Sequence, residues 1–181
     1  MRIDRLKGLL DAARFVSSPN VDPRPPGTAV DVLVIHNISL PPGEFSGDAI
    51  ERLFCNTLDF NAHPYYRTID GLKVSAHLLI RRSGEVIQFV PFHERAWHAG
   101  VSCCDGRERV NDFSIGIELE GTDEMPFEDI QYQVLARVTR ALMQAYPGIT
   151  RDHIVGHADI APGRKTDPGP FFDWPRYRAA I

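Results

Sequence analysis

Seven histidines are spread along the chain: His36, His63, His77, His93, His98, His153 and His157. Two of them, His36 and His157, follow short apolar runs, Val30–Ile35 and Ile154–Val155, where a strand can present a side chain to a cleft. Ten residues beyond His157 stands Asp167, whose successor Pro168 confines it to extended backbone. Two imidazoles and one carboxylate form a set that holds catalytic zinc while leaving a fourth position open for water. The chain has neither an HExxH run nor a CxxC pair. On spacing alone, a structural or surface role stays open for each of these histidines.

These residues have to be held by a rigid frame. Val30–Ile35 is almost wholly apolar and reads as a central strand buried on both faces. The alternation of Val74–Arg81 and of Glu85–Val90 across Arg82-Ser83-Gly84 predicts a hairpin. Phe113–Glu120 alternates most clearly of all. Its period of two turns Phe113, Ile115, Ile117 and Leu119 to the core, and Ser114, Gly116, Glu118 and Glu120 the other way. Gly47–Thr57 predicts a helix, with Ile50, Leu53 and Phe54 on one side. A longer helix over Phe127–Tyr146 follows from Ile130, Val134, Leu135, Val138, Ala141, Leu142 and Ala145, and Pro147-Gly148 stops it. A last helix starts with Asp173 as its cap. Strands alternating with helices indicate an α/β fold: one domain over residues 1–181, with a central mixed β-sheet flanked by helices.

Composition narrows the function. With 43% hydrophobic residues the chain has ample material for a core. Twenty Lys+Arg against twenty-four Asp+Glu give a net charge of −4, which argues against a blanket nucleic-acid surface. No apolar run reaches the roughly 18 residues of a membrane span. The start, Met1-Arg2-Ile3-Asp4-Arg5-Leu6-Lys7, lacks the apolar stretch of a signal peptide. The three cysteines, Cys55, Cys103 and Cys104, are an odd set with two adjacent members. They read as thiols of a reducing compartment, so a cytoplasmic protein is expected.

Several long blocks carry a resemblance. They are His36–Phe45, Ala96-Trp97-His98-Ala99-Gly100, Asn111–Gly121, and Gly156–Pro162 continued by Arg164-Lys165-Thr166-Asp167-Pro168-Gly169-Pro170. In order and over nearly the whole chain they resemble the AmpD family, zinc-dependent 1,6-anhydro-N-acetylmuramyl-L-alanine amidases of bacterial cell-wall recycling. That resemblance implies the amidase fold shared with peptidoglycan recognition proteins and one zinc ion per chain, held by His36, His157 and Asp167. It implies Glu118 and Lys165 as the catalytic pair. It also implies a small anhydro-muropeptide as substrate, with no nucleic acid, membrane or protein partner, and a monomer. For substrate contacts it points to Asn37, Lys73, His98 and Arg109. Family members commonly carry arginine where Lys73 stands, and lysine loses the two-pronged fork. Ala76 matches a position where phage-type relatives use a tyrosine, which leaves proton handling to Glu118.

Two classes of function follow. One is a zinc amidase that cleaves the bond between the lactyl carbonyl of anhydro-muramic acid and L-alanine. The other is a binding module for peptidoglycan fragments that has lost catalysis; such relatives typically lack a metal ligand.

Overall fold

The computed structural model describes all residues 1–181. Its centre is a six-stranded mixed sheet built from β1 (Arg14–Phe15), β2 (Val32–Ile38), β3 (Leu78–Ile80), β4 (Val86–Gln88), β5 (Ser114–Glu120) and β6 (Ile154–Gly156). The spatial order is β6-β2-β5-β3-β4-β1. Only the β3–β4 hairpin is antiparallel; every other neighbouring pair is parallel. The strands β6, β2, β5 and β3 therefore all end at the same edge, the edge where open α/β sheets place their ligands.

Helices cover both faces. On one side α2 (Asp129–Ala145) and α4 (Trp174–Ala180) pack Val134, Leu135, Val138, Leu142 and Tyr177 against Leu33, Ile35, Ile115, Ile117 and Leu119 of the sheet. The Tyr177 hydroxyl and Thr139 Oγ1 hydrogen-bond at 2.7 Å inside this layer, which ties α4 to α2. On the other side α1 (Ala49–Phe54) covers the hairpin end. There Val32 and Val34 pack on Ile160 of α3 (His157–Ile160), together with Ala99, Val110 and Phe113. No helix is long and apolar enough to cross a membrane.

The local signals explain where elements start and stop. Glu128 precedes α2 and its backbone N–H donates to the Gln131 side chain at 2.9 Å, while Phe127 reaches over to Tyr132 with ring centroids 6.5 Å apart. This is a capped, stapled helix start, and it moves the beginning from Phe127 to Asp129. Ile130, expected on the buried face, is 40% exposed. It covers Gly84 of the hairpin turn, where a β-carbon would come within 2.7 Å of its side chain. Asp173 caps α4 as expected, accepting from Arg176 N–H.

Three strand expectations shift. The central strand runs from Val32 to Ile38, so His36 and Asn37 lie inside it, because pairing with β5 continues through Glu120↔Ile38. Phe113 does not belong to β5; it follows a 3₁₀ turn at Val110–Asp112 and packs with Val32 and Val34 on the face opposite Ile115. The hairpin strands shorten because two N–H groups before them bond elsewhere: Ser75 N–H donates to Trp97 O and His77 N–H to Gly116 O. The Gly47–Thr57 helix likewise contracts to α1.

Candidate active site

Register fixes the site. Glu118 pairs with His36 across the parallel strands β5 and β2, and Gly156 pairs with Ile35 across β6 and β2. His157, one residue past β6, therefore joins a row with His36 and Glu118 at the carboxyl edge. Within β2, His36 shares a face with Val32 and Val34, the face opposite α2.

Asp167 reaches this row through a tightly held loop. Its carbonyl accepts the Ala158 N–H at 2.9 Å. Pro168 packs so closely on Gly156 that a β-carbon there would lie 2.8 Å from the proline ring. His36 Nδ1 and His157 Nδ1 each stand 3.0 Å from Asp167 Oδ2 and 3.0 Å from one another. Tetrahedral zinc with bonds of about 2.0–2.1 Å sets neighbouring donors roughly 3.3 Å apart. The spacing of the three donors fits one such ion.

Hydrogen bonding behind the imidazoles supports the same assignment. His157 Nε2 lies 3.1 Å from the Ala99 carbonyl, which can only accept; the proton is thereby assigned to Nε2 and the Nδ1 lone pair faces Asp167. His36 Nε2 meets His98 Nδ1 at 2.9 Å, and His98 Nε2 meets Ser114 Oγ at 3.1 Å. Two imidazole nitrogens and a carboxylate oxygen converge on one point, where they could hold a metal ion.

Electrostatics agree. Burial drives His36 down to about 4 against the opposing pull of Asp167, which keeps it neutral. Burial alone would raise Asp167, but the neighbouring rings of His157 and His36 hold it well below the usual carboxylate range. Metal ligands have to be deprotonated, and these two groups are. Glu118 is pushed the other way: burial raises it well above the usual value, Asp167 adds to the shift and Lys165 opposes it. Its Oε2 is buried without a hydrogen-bond partner, an acceptor left free beside the row of ligands.

The row opens into a cleft of about 1100 Å³ whose lining includes Asn37, Lys73, His98, Glu118, Lys165 and Asp167. Asn37 spends both amide hydrogens on Asp123 Oδ1 (2.6 Å) and Pro168 O (3.0 Å). His98 lies behind His36 and is 9% exposed. Arg109 is outside this cleft. It borders a neighbouring depression of about 520 Å³, and its Nε pairs with Asp112 at 3.2 Å. Ala76 is fully buried in the apolar cluster with Phe54 and Phe89, so Val74 and Ser75 line the cleft instead. His77 is a buried structural residue that accepts the Gly116 N–H at 3.0 Å and donates to Glu94 O at 3.2 Å.

Sequence reasoning missed Asn111, whose side chain receives the His98 and Ala99 N–H groups. It also missed Arg164, which donates to the Ala99 carbonyl. Both sit within the blocks that carried the resemblance, but their partners lie 12 and 65 residues away.

Fold and site together define an α/β protein with a His-His-Asp cluster able to hold a metal ion at the carboxyl edge of a parallel sheet. Residues 26–170 match the N-acetylmuramoyl-L-alanine amidase family. The 1,6-anhydro-N-acetylmuramyl-L-alanine amidase AmpD of Salmonella typhimurium (strain SL1344) is 61% identical over 175 residues, covering 97% of this chain and 93% of the relative. A crystal structure of a selenomethionine AmpD derivative superposes with a TM-score of 0.96 at 59% identity, covering 100% of this chain and 99% of that one. The E. coli amidase AmiD, solved with the substrate anhydro-N-acetylmuramic acid-L-Ala-D-gamma-Glu-L-Lys, follows at 32% identity and a TM-score of 0.62 over 87% of this chain and 60% of that one. The chain belongs to the N-acetylmuramoyl-L-alanine amidase family.

Proposed function

We infer that this chain is a zinc-dependent 1,6-anhydro-N-acetylmuramyl-L-alanine amidase, and that residues 1–181 act as one catalytic domain. It hydrolyses the amide between the lactyl carbonyl of anhydro-muramic acid and L-alanine in small muropeptides released from the cell wall. The observation that carries this reading is the convergence of His36 Nδ1, His157 Nδ1 and Asp167 Oδ2, each 3.0 Å from the others, beside an unpartnered Glu118 oxygen. The substrate class rests on the relatives, whose names and bound ligand specify it. Three free cysteines favour a reducing, cytoplasmic setting.

His36, His157 and Asp167 would hold one zinc ion, which would supply Lewis-acid activation of water and of the amide carbonyl. Glu118 takes the proton of the attacking water on its buried Oε2, where desolvation raises its affinity for a proton. The same carboxyl then delivers that proton to the departing nitrogen of L-alanine. Lys165 brings a fixed ammonium to the cleft and stabilises the oxyanion that develops on the lactyl carbonyl. Asn37, with both N–H groups engaged, offers only its Oδ1 to the substrate, which suits a peptide N–H. Lys73 on the cleft wall provides a charge for a peptide carboxylate.

Incubating the zinc-loaded protein with anhydro-muramyl tripeptide and weighing the products by mass spectrometry tests the reading. It requires separate anhydro-muramic acid and tripeptide, and their loss when zinc is removed by a chelator. Substrate that binds and emerges intact identifies a binding module instead.

A further inference from the structure

Both imidazoles of the ligand cluster lean on two consecutive residues, one through a backbone carbonyl and the other through a side-chain ring. His157 Nε2 donates to the Ala99 carbonyl at 3.1 Å, and His36 Nε2 meets the ring of His98 at 2.9 Å. Residues 98 and 99 lie in a loop, between a short strand ending at Ala96 and the turn at Val110–Asp112, and no sheet ladder fixes them. Ser75 holds the peptide before them, its N–H donating to Trp97 O at 3.1 Å, and Asn111 holds their own N–H groups. Its Oδ1 accepts the Ala99 N–H at 2.8 Å and the His98 N–H at 3.1 Å, and the residue is 7% exposed. The next peptide along is held by Arg164, whose guanidinium donates to Ala99 O at 2.6 Å.

We propose that Asn111 is the positioning residue of the metal centre: its single carbonyl oxygen sets the His98–Ala99 backbone, and through it the orientation of both His36 and His157. Groups that hydrogen-bond to the outer nitrogens of metal-ligating imidazoles fix ring tilt and tautomer, and their loss typically weakens metal binding by roughly 10–100-fold. Here the two outer partners are consecutive residues, so one amide oxygen governs both. An aspartate at the same place still offers an oxygen to the two N–H groups; an alanine offers none.

This inference rests on the metal centre proposed above, and its test reads metal binding and tautomer rather than hydrolysis, so the two readings fail separately. Zinc affinity is measured by competition with a chromophoric chelator, on protein shown to be folded by circular dichroism. Failure of the parent chain to bind zinc overturns the metal centre itself. With a binding parent, Asn111→Ala weakens zinc binding by roughly 10–100-fold, whereas Asn111→Asp stays close to the parent. In the metal-free state, imidazole ¹⁵N shifts of Asn111→Ala show His157 released from its single Nε2–H tautomer. If Asn111→Ala does not fold, Asn111→Ser carries the same expectation, because its oxygen stops short of the two N–H groups. Ser102→Ala is the control. It removes a hydroxyl that accepts Val110 N–H and donates to Gly100 O in the same loop, and it lowers the melting temperature without changing zinc affinity. Unchanged affinity in folded Asn111→Ala or Asn111→Ser, an Asn111→Asp as weak as Asn111→Ala, or an equal loss in Ser102→Ala overturns the proposal.

Discussion

A β-carbon on residue 116 would stand 2.5 Å from the His98 ring, so Gly116 and His98 share a space that only a glycine leaves open. Gly116 lies at the middle of β5, on the same face as Glu118, and the ring that fills its place backs His36. A glycine inside a strand often marks such a close approach. Gly116→Ala forces the ring away and is expected to weaken zinc binding by roughly 10–100-fold, read by chelator competition. Parental affinity in the folded variant shows that the ring's position is immaterial.

Glu118 is where activity and stability pull apart. Its carboxyl is raised by burial in the folded state, so the folded form holds a proton that the unfolded form releases above its ordinary value near 4.3. The folded state binds more protons in that window, and stability falls as pH rises through it. Glu118→Gln removes this penalty. The metal-free variant is expected to melt at a higher temperature than the parent at pH 7, to retain zinc, and to lose activity by about 10²–10⁴-fold.

Lys165 lines the cleft, where its charge opposes the upward shift of Glu118. A fixed cation beside a developing oxyanion typically contributes about 10²–10³ in turnover. Lys165→Ala is expected to lower kcat by that order with zinc occupancy unchanged. A raised KM at parental kcat assigns Lys165 to substrate binding alone.

Acid affects the metal-free protein through its buried histidines. Burial lowers His36 to about 4 and holds His98 and His77 well below the usual range. Unfolded histidines bind protons from about pH 6.5 downward, so below that pH the unfolded state binds more protons than the folded one. The histidines' contribution to stability is full above about pH 6.5 and falls as the pH is lowered towards 4. Melting temperatures recorded across this range test it. The decline is expected to be steeper in Glu118→Gln, because in the parent the buried carboxyl opposes it.

Much of this site is legible in the sequence because it depends on short-range geometry. The alternation of Ser114–Glu120 turns Glu118 away from α2, and the apolar runs before His36 and His157 bring both rings towards the carboxyl edge of the sheet. Proline after Asp167 marks a fixed loop. What escaped the sequence depends on contacts between distant residues. Glu120 shares the parity of Glu118, yet it is buried and ion-paired with Arg81 at 2.9 Å, and nothing in the alternation separates these two carboxylates. Phe113 continues the alternation but leaves the strand, because a 3₁₀ turn precedes it. Arg109, a substrate contact implied by the resemblance, borders a neighbouring depression, since its backbone turns with a positive φ of 60° and its side chain pairs with Asp112.

The central claim is that three side chains share one zinc ion through His36 Nδ1, His157 Nδ1 and Asp167 Oδ2. Anomalous diffraction at the zinc edge from crystals of the loaded protein measures this directly. The account predicts one peak per chain, about 2.0–2.2 Å from each of these three atoms. A peak elsewhere, or an ion held through the Nε2 atoms with Ala99 and His98 displaced, contradicts it.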